Sequence, residues 1–189
     1  MKILVLNGGK KEDRGQPDIC ALLASEILSQ GHSVDKIDLE EIPIAPCTGC
    51  FGCWVRSPGE CTIDDEGRDV AKAAILCDLL VFLTPVTFGG YSSELKKAVD
   101  RLIPNLSPFF VNIGGETHHR PRYTRYPPIL GVGTLEEPDP EKESIFRTLV
   151  GRNAVNYHSP FHDAVVIVPG REHDLGEALR QAVKKGGGA

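Results

Sequence analysis

Ile3-Leu4-Val5-Leu6-Asn7-Gly8-Gly9 is four apolar residues running straight into a turn. An apolar run without polar alternation, stopped by Asn-Gly-Gly, is the pattern of a strand buried on both faces. Such a strand belongs in a parallel sheet, so a helix should follow. Ile19, Leu22, Leu23, Ile27 and Leu28 recur at helical spacing over residues 17–30, with Pro17 suited to the first helical position and Gly31 to the stop. Residues 33–39 alternate Val34, Ile37 and Leu39 with polar residues and read as a second strand near an edge. Asp64-Asp65 then caps a helix with Val70, Ala71, Ala74 and Ile75 on one face. Residues 79–84 are a third strand, and Ser92 and Ser93 offer an N-cap for Leu95, Val99, Leu102 and Ile103, with Pro104 just past the end. Residues 129–132 supply a fourth strand and 141–157 a helix with Ile145, Phe146, Leu149 and Val150 inside. Residues 164–168 are a fifth strand, 173–185 a last helix, and Gly186-Gly187-Gly188 a frayed end. Over residues 105–128 no periodicity appears, and a connection that long is functional or hides an element.

Strands alternating with helices predict one α/β domain, a parallel sheet covered on both faces. Ligands in such sheets bind beyond the carboxyl ends of the strands, where the winding direction switches. Residues 7–18, 42–62 and 84–92 should therefore lie along one edge. The 189 residues suffice to bury about 70% of the unfolded surface in a single core. With 26 acidic against 21 basic residues the formal charge is -5, which argues against a nucleic-acid partner held by phosphate neutralisation. No apolar run approaches the length of a membrane helix, and Met1-Lys2-Ile3-Leu4-Val5-Leu6 is too short for a signal-peptide core. A cytoplasmic protein is expected, and in a reducing compartment six Cys read as ligands, redox groups or buried thiols rather than a disulfide framework.

The strongest chemical signal is Cys47-Thr48-Gly49-Cys50-Phe51-Gly52-Cys53 followed by Cys61. A cubane iron-sulfur cluster needs four thiolates converging on a small volume, and three Cys spaced by two residues with a fourth from a short loop achieve that. Gly49 and Gly52 leave room for the backbone to curl and aim N–H groups at sulfur. Zinc and a redox disulfide are the alternatives, although zinc sites usually join two separated Cys pairs, whereas here the middle Cys is shared. Cys20 and Cys77, on an apolar helix and beside a strand, read as core thiols. The first loop, residues 7–18, offers backbone N–H groups and a helix N-terminus to a phosphate, without a P-loop or a dinucleotide-binding glycine pattern.

The third segment, Thr84-Pro85-Val86-Thr87-Phe88-Gly89-Gly90-Tyr91-Ser92-Ser93-Glu94-Leu95-Lys96-Lys97-Ala98-Val99-Asp100-Arg101, completes a set. Together with Leu4-Val5-Leu6-Asn7-Gly8 and the Cys array it resembles the flavodoxin-like NAD(P)H-dependent FMN reductases, and among them the iron-sulfur flavoproteins. That resemblance implies a flavodoxin-like, doubly wound five-stranded parallel sheet in the order 2-1-3-4-5, over residues 1–189 as one domain, with a Cys-rich loop at 42–62 and an insertion at 105–128. It implies FMN bound by Asn7, Gly8, Gly9, Lys10 and Gln16 and by Pro85, Val86, Thr87, Phe88 and Gly89, whose N–H groups would reach the polar edge of the ring. A donor there stabilises the negative charge of a reduced flavin. It further implies a [4Fe-4S] cluster held by Cys47, Cys50, Cys53 and Cys61, and a homo-oligomer, dimer or tetramer, that exchanges electrons across a subunit contact. The donor would be NAD(P)H or a ferredoxin-like carrier, and no catalytic acid–base residue is required.

Two of the segments depart from the family. Gly9, Lys10 and Pro17 stand where hydroxyl side chains usually bind the FMN phosphate, so contacts must come from backbone N–H, Asn7, Gln16, Lys10, Lys11 or Arg14, with Asp18 opposing. Thr87 stands where an aromatic is common. The ring of Phe88 either covers a flavin face or lies in the core. The stretch 105–128, with Glu116, His118, His119, Arg120, Arg122, Tyr123, Arg125 and Tyr126, is a solvated or oligomer-facing loop or a cationic lid for an anionic partner. His118 and His119 are adjacent, cannot face one point in a regular element, and are not read as metal ligands. Tyr157, His158 and His162 read as surface or packing residues. Two other functions share the pattern: a cluster-free NAD(P)H-dependent FMN reductase acting on quinones, azo compounds or metal oxyanions, and a non-enzymatic redox carrier or sensor.

Overall fold

Alternation along two central strands sets the two faces of the sheet. In a computed structural model, which describes residues 1–13, 16–168, 170 and 174–186, β1 (Lys2–Asn7) and β3 (Leu79–Pro85) are almost wholly buried. Ile3, Val5, Leu79, Val81 and Leu83 point to one side, against Ile19, Cys20, Leu23 and Ile27 of α1 (Gln16–Ser29) and Leu175, Leu179 and Ala182 of α6 (Asp174–Gly186). Leu4, Leu6, Leu80 and Phe82 point to the other, against α3 (Gly67–Leu76), α4 (Ser93–Asp100) and α5 (Pro140–Asn156). Because side chains change face at every residue, a strand covered on both sides must be apolar throughout.

With β2 (Ser33–Asp38), β6 (Ile129–Thr134) and β7 (His162–Ile167), the five parallel strands lie in the order β2-β1-β3-β6-β7. This is the expected flavodoxin-like 2-1-3-4-5 order, and β2, which alternates, is an edge strand. Ser92 caps α4 by accepting from the Leu95 amide, at 3.3 Å. The helix ends at Asp100, so Leu102 and Ile103 fall in the turn that follows rather than on its face. In α5 the buried stripe is Phe146, Val150 and Ala154; Ile145, expected inside, is exposed. Leu28 of α1, also expected inside, is exposed. Cys20 and Cys77 are buried, and burial pushes the Cys77 thiol up to about 12. Arg14, Gly187 and Gly188 and the side chains of Gln16 and Pro17 lie outside the described residues.

The stretch 105–128 is not structureless. It forms an antiparallel hairpin of β4 (Leu106–Ile113) and β5 (Glu116–Pro121), joined through Gly114 and Gly115, both at positive φ. Adjacent His118 and His119 fall on opposite faces of β5. His118 is buried between Asn156 (2.8 Å) and Glu116 (3.0 Å), while His119 stacks on Phe110. Two of its arginines tie it down: Arg122 donates to the carbonyls of Pro104 and Leu106, and Arg125 pairs with Asp78 at 2.6 Å.

Candidate functional site

The loops after β1 and β3 are welded together. The Gly8 amide extends the sheet by donating to the Leu83 carbonyl, and Ser92 Oγ donates to the Gly8 carbonyl at 2.6 Å. A Cβ on Gly8 would sit 2.5 Å from Leu95 Cβ, so this glycine lets α4 approach β1. Beyond it, three successive amides donate to side-chain oxygens: Gly9 to Asn7 (3.2 Å), Lys10 to the Asp13 carboxylate (2.7 Å) and Lys11 to the Glu40 carboxylate (3.1 Å). Two of the three thus already hold anionic oxygens.

After β3 the chain makes a two-residue turn closed by Thr87 and Gly90, with Phe88 and Gly89 both at positive φ. Of the amides expected to face a flavin, Pro85 has none, Val86 donates to the Thr134 carbonyl and Thr87 to Gly90. Those of Phe88 and Gly89 have no partner among the described residues. The Phe88 ring is 93% exposed and therefore is not a core residue. Pro85 and Val86 line a cavity of about 410 Å³ together with Asp13 and the segment 134–139 that follows β6. Its wall carries four carboxylates, Asp13, Glu136, Glu137 and Asp139, against Lys142. Asn7, Gly9 and Lys10 line a different groove of about 400 Å³, between α1 and β2, where the Asn7 amide donates to Asp38. The candidate residues therefore fall into two neighbouring groups rather than one pocket. The wall made by 134–139 escaped the sequence reading, yet the Pro138-Asp139-Pro140 turn after an apolar strand marks the same carboxyl edge.

The four Cys of the array do come together. Cys47, Cys50, Cys53 and Cys61 line one cavity of about 110 Å³ with Phe51, Trp54, Ile63, Arg101, Ile103 and Pro104. Phe51 at φ 55 starts the short helix α2 (Gly52–Val55), which carries Cys53 inward. Gly49 takes φ +64, and a Cβ on Gly52 would stand 2.4 Å from Thr62 Cγ2, so the two arms of the loop close only over glycine. The Thr62 hydroxyl, 3.5 Å away, and the Gly52 amide hold the Cys50 thiol below its ordinary value, while burial and the neighbouring Cys61 push Cys53 up. Among the described residues no three His, Cys, Asp or Glu side chains gather as a single metal ion requires.

All three loops were expected along one edge, but this cavity lies away from the edge occupied by the first and third. After β2 the chain runs back along α4 and is pinned at the far end of that eight-residue helix, about 12 Å long at 1.5 Å per residue. Asp65, expected as a helix cap, does accept from the Gly67 amide, but it also grips buried Arg101 through both oxygens, at 2.6 and 2.9 Å. Trp54 donates to the Leu106 carbonyl and packs on His119, seating the loop on the hairpin.

A parallel sheet in this order, with its openings beyond the carboxyl ends of the strands, defines a flavodoxin-like protein. The profile of the NADPH-dependent FMN reductase family matches residues 1–120, and the chain belongs to that family. An iron-sulfur flavoprotein of Methanocaldococcus jannaschii is 28% identical over 104 residues, 55% of this chain and 53% of that protein. Another, from Archaeoglobus fulgidus, is 30% identical over 101 residues, 53% of this chain and 48% of that one. The chain spans about half the length of these curated relatives. The fold is similar to that of an NAD(P)H:quinone oxidoreductase from Methanothermobacter marburgensis, with a TM-score of 0.68 at 12% identity over 98% of this chain and 97% of that one. Among the described residues no helix is long and apolar enough to cross a membrane.

Proposed function

We propose that this protein is an FMN-dependent oxidoreductase that relays electrons between a [4Fe-4S] cluster held by Cys47, Cys50, Cys53 and Cys61 and an FMN seated at the carboxyl edge of the sheet. The observation that carries the reading is the gathering of all four thiols around one small cavity. The shared middle Cys of the array fits such a cluster better than the two separated Cys pairs of a usual zinc site. The resemblance of the matched half to iron-sulfur flavoproteins supports it.

The edge fits a flavin in parts. The acidic wall of the 410 Å³ cavity repels a phosphate, so that cavity is assigned to the uncharged ring, with the free amides of Phe88 and Gly89 as donors to its polar rim and Phe88 as a cover. The phosphate is assigned to the amides of Gly9, Lys10 and Lys11, displacing the carboxylates of Asp13 and Glu40. Bound FMN would accept electrons singly or as a pair, from NAD(P)H or a ferredoxin-like carrier, and the cluster would pass them one at a time. Exposed Phe51, Val55, Phe109 and Phe110 beside the Cys loop and on β4 are assigned to contacts in a homo-oligomer.

Anaerobic purification with analysis of iron, acid-labile sulfide, zinc and FMN tests this. About four irons, four sulfides and one FMN per chain are expected, with iron depleted in Cys61→Ala. A cluster-free NAD(P)H-dependent FMN reductase is the second reading, favoured by the exposure of Cys47 and Cys50 and the lowered Cys50 pKa, which suit thiols that cycle through a disulfide. FMN without iron would establish it over the first.

A further inference from the structure

Arg101 is 1% exposed and the largest side chain fully buried among the described residues. Its two terminal nitrogens are saturated: Nη1 donates to the Ala45 carbonyl (2.8 Å) and Asp65 Oδ2 (2.9 Å), and Nη2 to Asp65 Oδ1 (2.6 Å) and the Ile63 carbonyl (3.3 Å). Nε is buried and, among the described residues, has no acceptor within hydrogen-bond distance. An unmet charged donor inside a protein is costly unless a partner arrives. Arg101 lines the four-Cys cavity, whereas Asp65 does not: the carboxylate also receives the Ala45 and Gly67 amides behind it. The ion pair is therefore an oriented dipole with its positive end toward the sulfurs. Burial opposes the Arg101 charge, but Asp65 and the nearby Cys61 sulfur outweigh it and hold the guanidinium protonated. A neutral thiol is a weak acceptor, whereas a metal-bound thiolate is a strong one.

We propose that Arg101 is a tuning residue for an iron-sulfur cluster in this cavity, its spare Nε–H donating to the sulfur of ligated Cys61 and its charge stabilising the reduced cluster. The inference rests on the cluster reading above. Hydrogen bonds to the sulfurs and local charge are what set such potentials, and here both come from one side chain. Asp65 moderates the effect from behind.

The test compares midpoint potentials of the anaerobically reconstituted protein, followed by bleaching of the cluster absorption, in wild type, Arg101→Gln and Asp65→Asn. Both substitutions break the same ion pair, so mere loosening of the loop shifts both potentials in one direction. Tuning by an oriented pair shifts them in opposite directions, Arg101→Gln down and Asp65→Asn up. The expected change is about tenfold in the oxidised-to-reduced ratio at fixed potential, or about 59 mV for a one-electron couple. Arg101→Lys keeps the charge without Nε and should fall between wild type and Arg101→Gln; should Arg101→Gln lose its iron, Arg101→Lys supplies the downward arm. Shifts of the same sign, or an unchanged or lowered potential in Asp65→Asn, overturn the role of Arg101 while leaving the cluster in place. A wild-type protein that takes up no iron and sulfide overturns the cluster reading and this inference with it.

Discussion

Replacing Gly52 by Ala puts one methyl group where the two arms of the Cys loop touch. The added Cβ would lie 2.4 Å from Thr62 Cγ2 and 3.2 Å from its Oγ1. Carbon atoms settle at about 3.5–4.0 Å, so the arms must part by about 1 Å, twice the tolerance of about 0.5 Å within which a metal site keeps its ligands. Thr62 adjoins Cys61, and Gly52 lies between Cys50 and Cys53, so the displacement separates the fourth ligand from the other three. The cost to the fold is that of local overpacking, about 1–3 kcal/mol. Gly52→Ala should therefore remain folded yet lose most of its iron after anaerobic reconstitution, measured per chain beside a melting curve. Thr62→Ser deletes the clashing Cγ2 and keeps the hydroxyl that meets Cys50. In the Gly52→Ala background it should restore iron, while alone it should change little, a coupling that a double-mutant cycle reads directly. Wild-type iron in Gly52→Ala, or no rescue by Thr62→Ser, would refute the steric argument.

Other substitutions separate packing from ligand binding. In Gly8→Ala the new Cβ meets Leu95 Cβ at 2.5 Å and Ser92 Oγ at 2.7 Å; at about 1–3 kcal/mol and about 2–4 °C per kcal/mol, melting should drop by about 2–12 °C. Gly90→Ala, whose Cβ meets nothing nearer than the Thr87 carbonyl at 3.5 Å, is the control and should melt as wild type does. Phe88→Ala removes a ring that is 93% exposed, so the melting temperature should hold while the FMN Kd, by fluorescence titration, rises about fivefold to tenfold; an unchanged Kd would remove Phe88 from the flavin site. Asp65 is held below the ordinary carboxylate range, chiefly by its hydrogen bonds from Arg101. Its stabilisation is complete above the unfolded pKa of about 3.9 and vanishes as pH falls through the lower folded value. Asp65→Asn should accordingly melt lower at pH 7 and lose less than wild type as the pH falls below about 4, as thermal scans across that range would show.

Which features of this chain could be read without coordinates follows from the range of the forces that set them. Leu4, Leu6, Leu80 and Phe82 had to be apolar because helices cover both faces of the sheet, and that requirement is written residue by residue, so the strands and the helices between them were legible, while the strand order came only with the family resemblance. The hairpin was not, because its first strand turns Phe109 and Phe110 outward and slips register between Leu106 and Phe110, which erases the period-two pattern. Its one local mark, Gly114-Gly115 flanked by strand formers, was available and is a hairpin signal in its own right. The Cys spacing likewise announced four converging thiols, and Gly49 and Gly52 announced a tightly curled loop. Where that loop lies was decided by Asp65 and Arg101, 36 positions apart, and by Trp54 reaching a carbonyl 52 residues away. No window of sequence contains both partners of either contact. The same separation explains why Arg101, at the end of the segment that follows the third strand, shows no role of its own in the sequence: its burial exists only once the Cys loop has folded back over it. The chemistry was thus legible where it depends on neighbours in sequence, and hidden where a distant residue aims it.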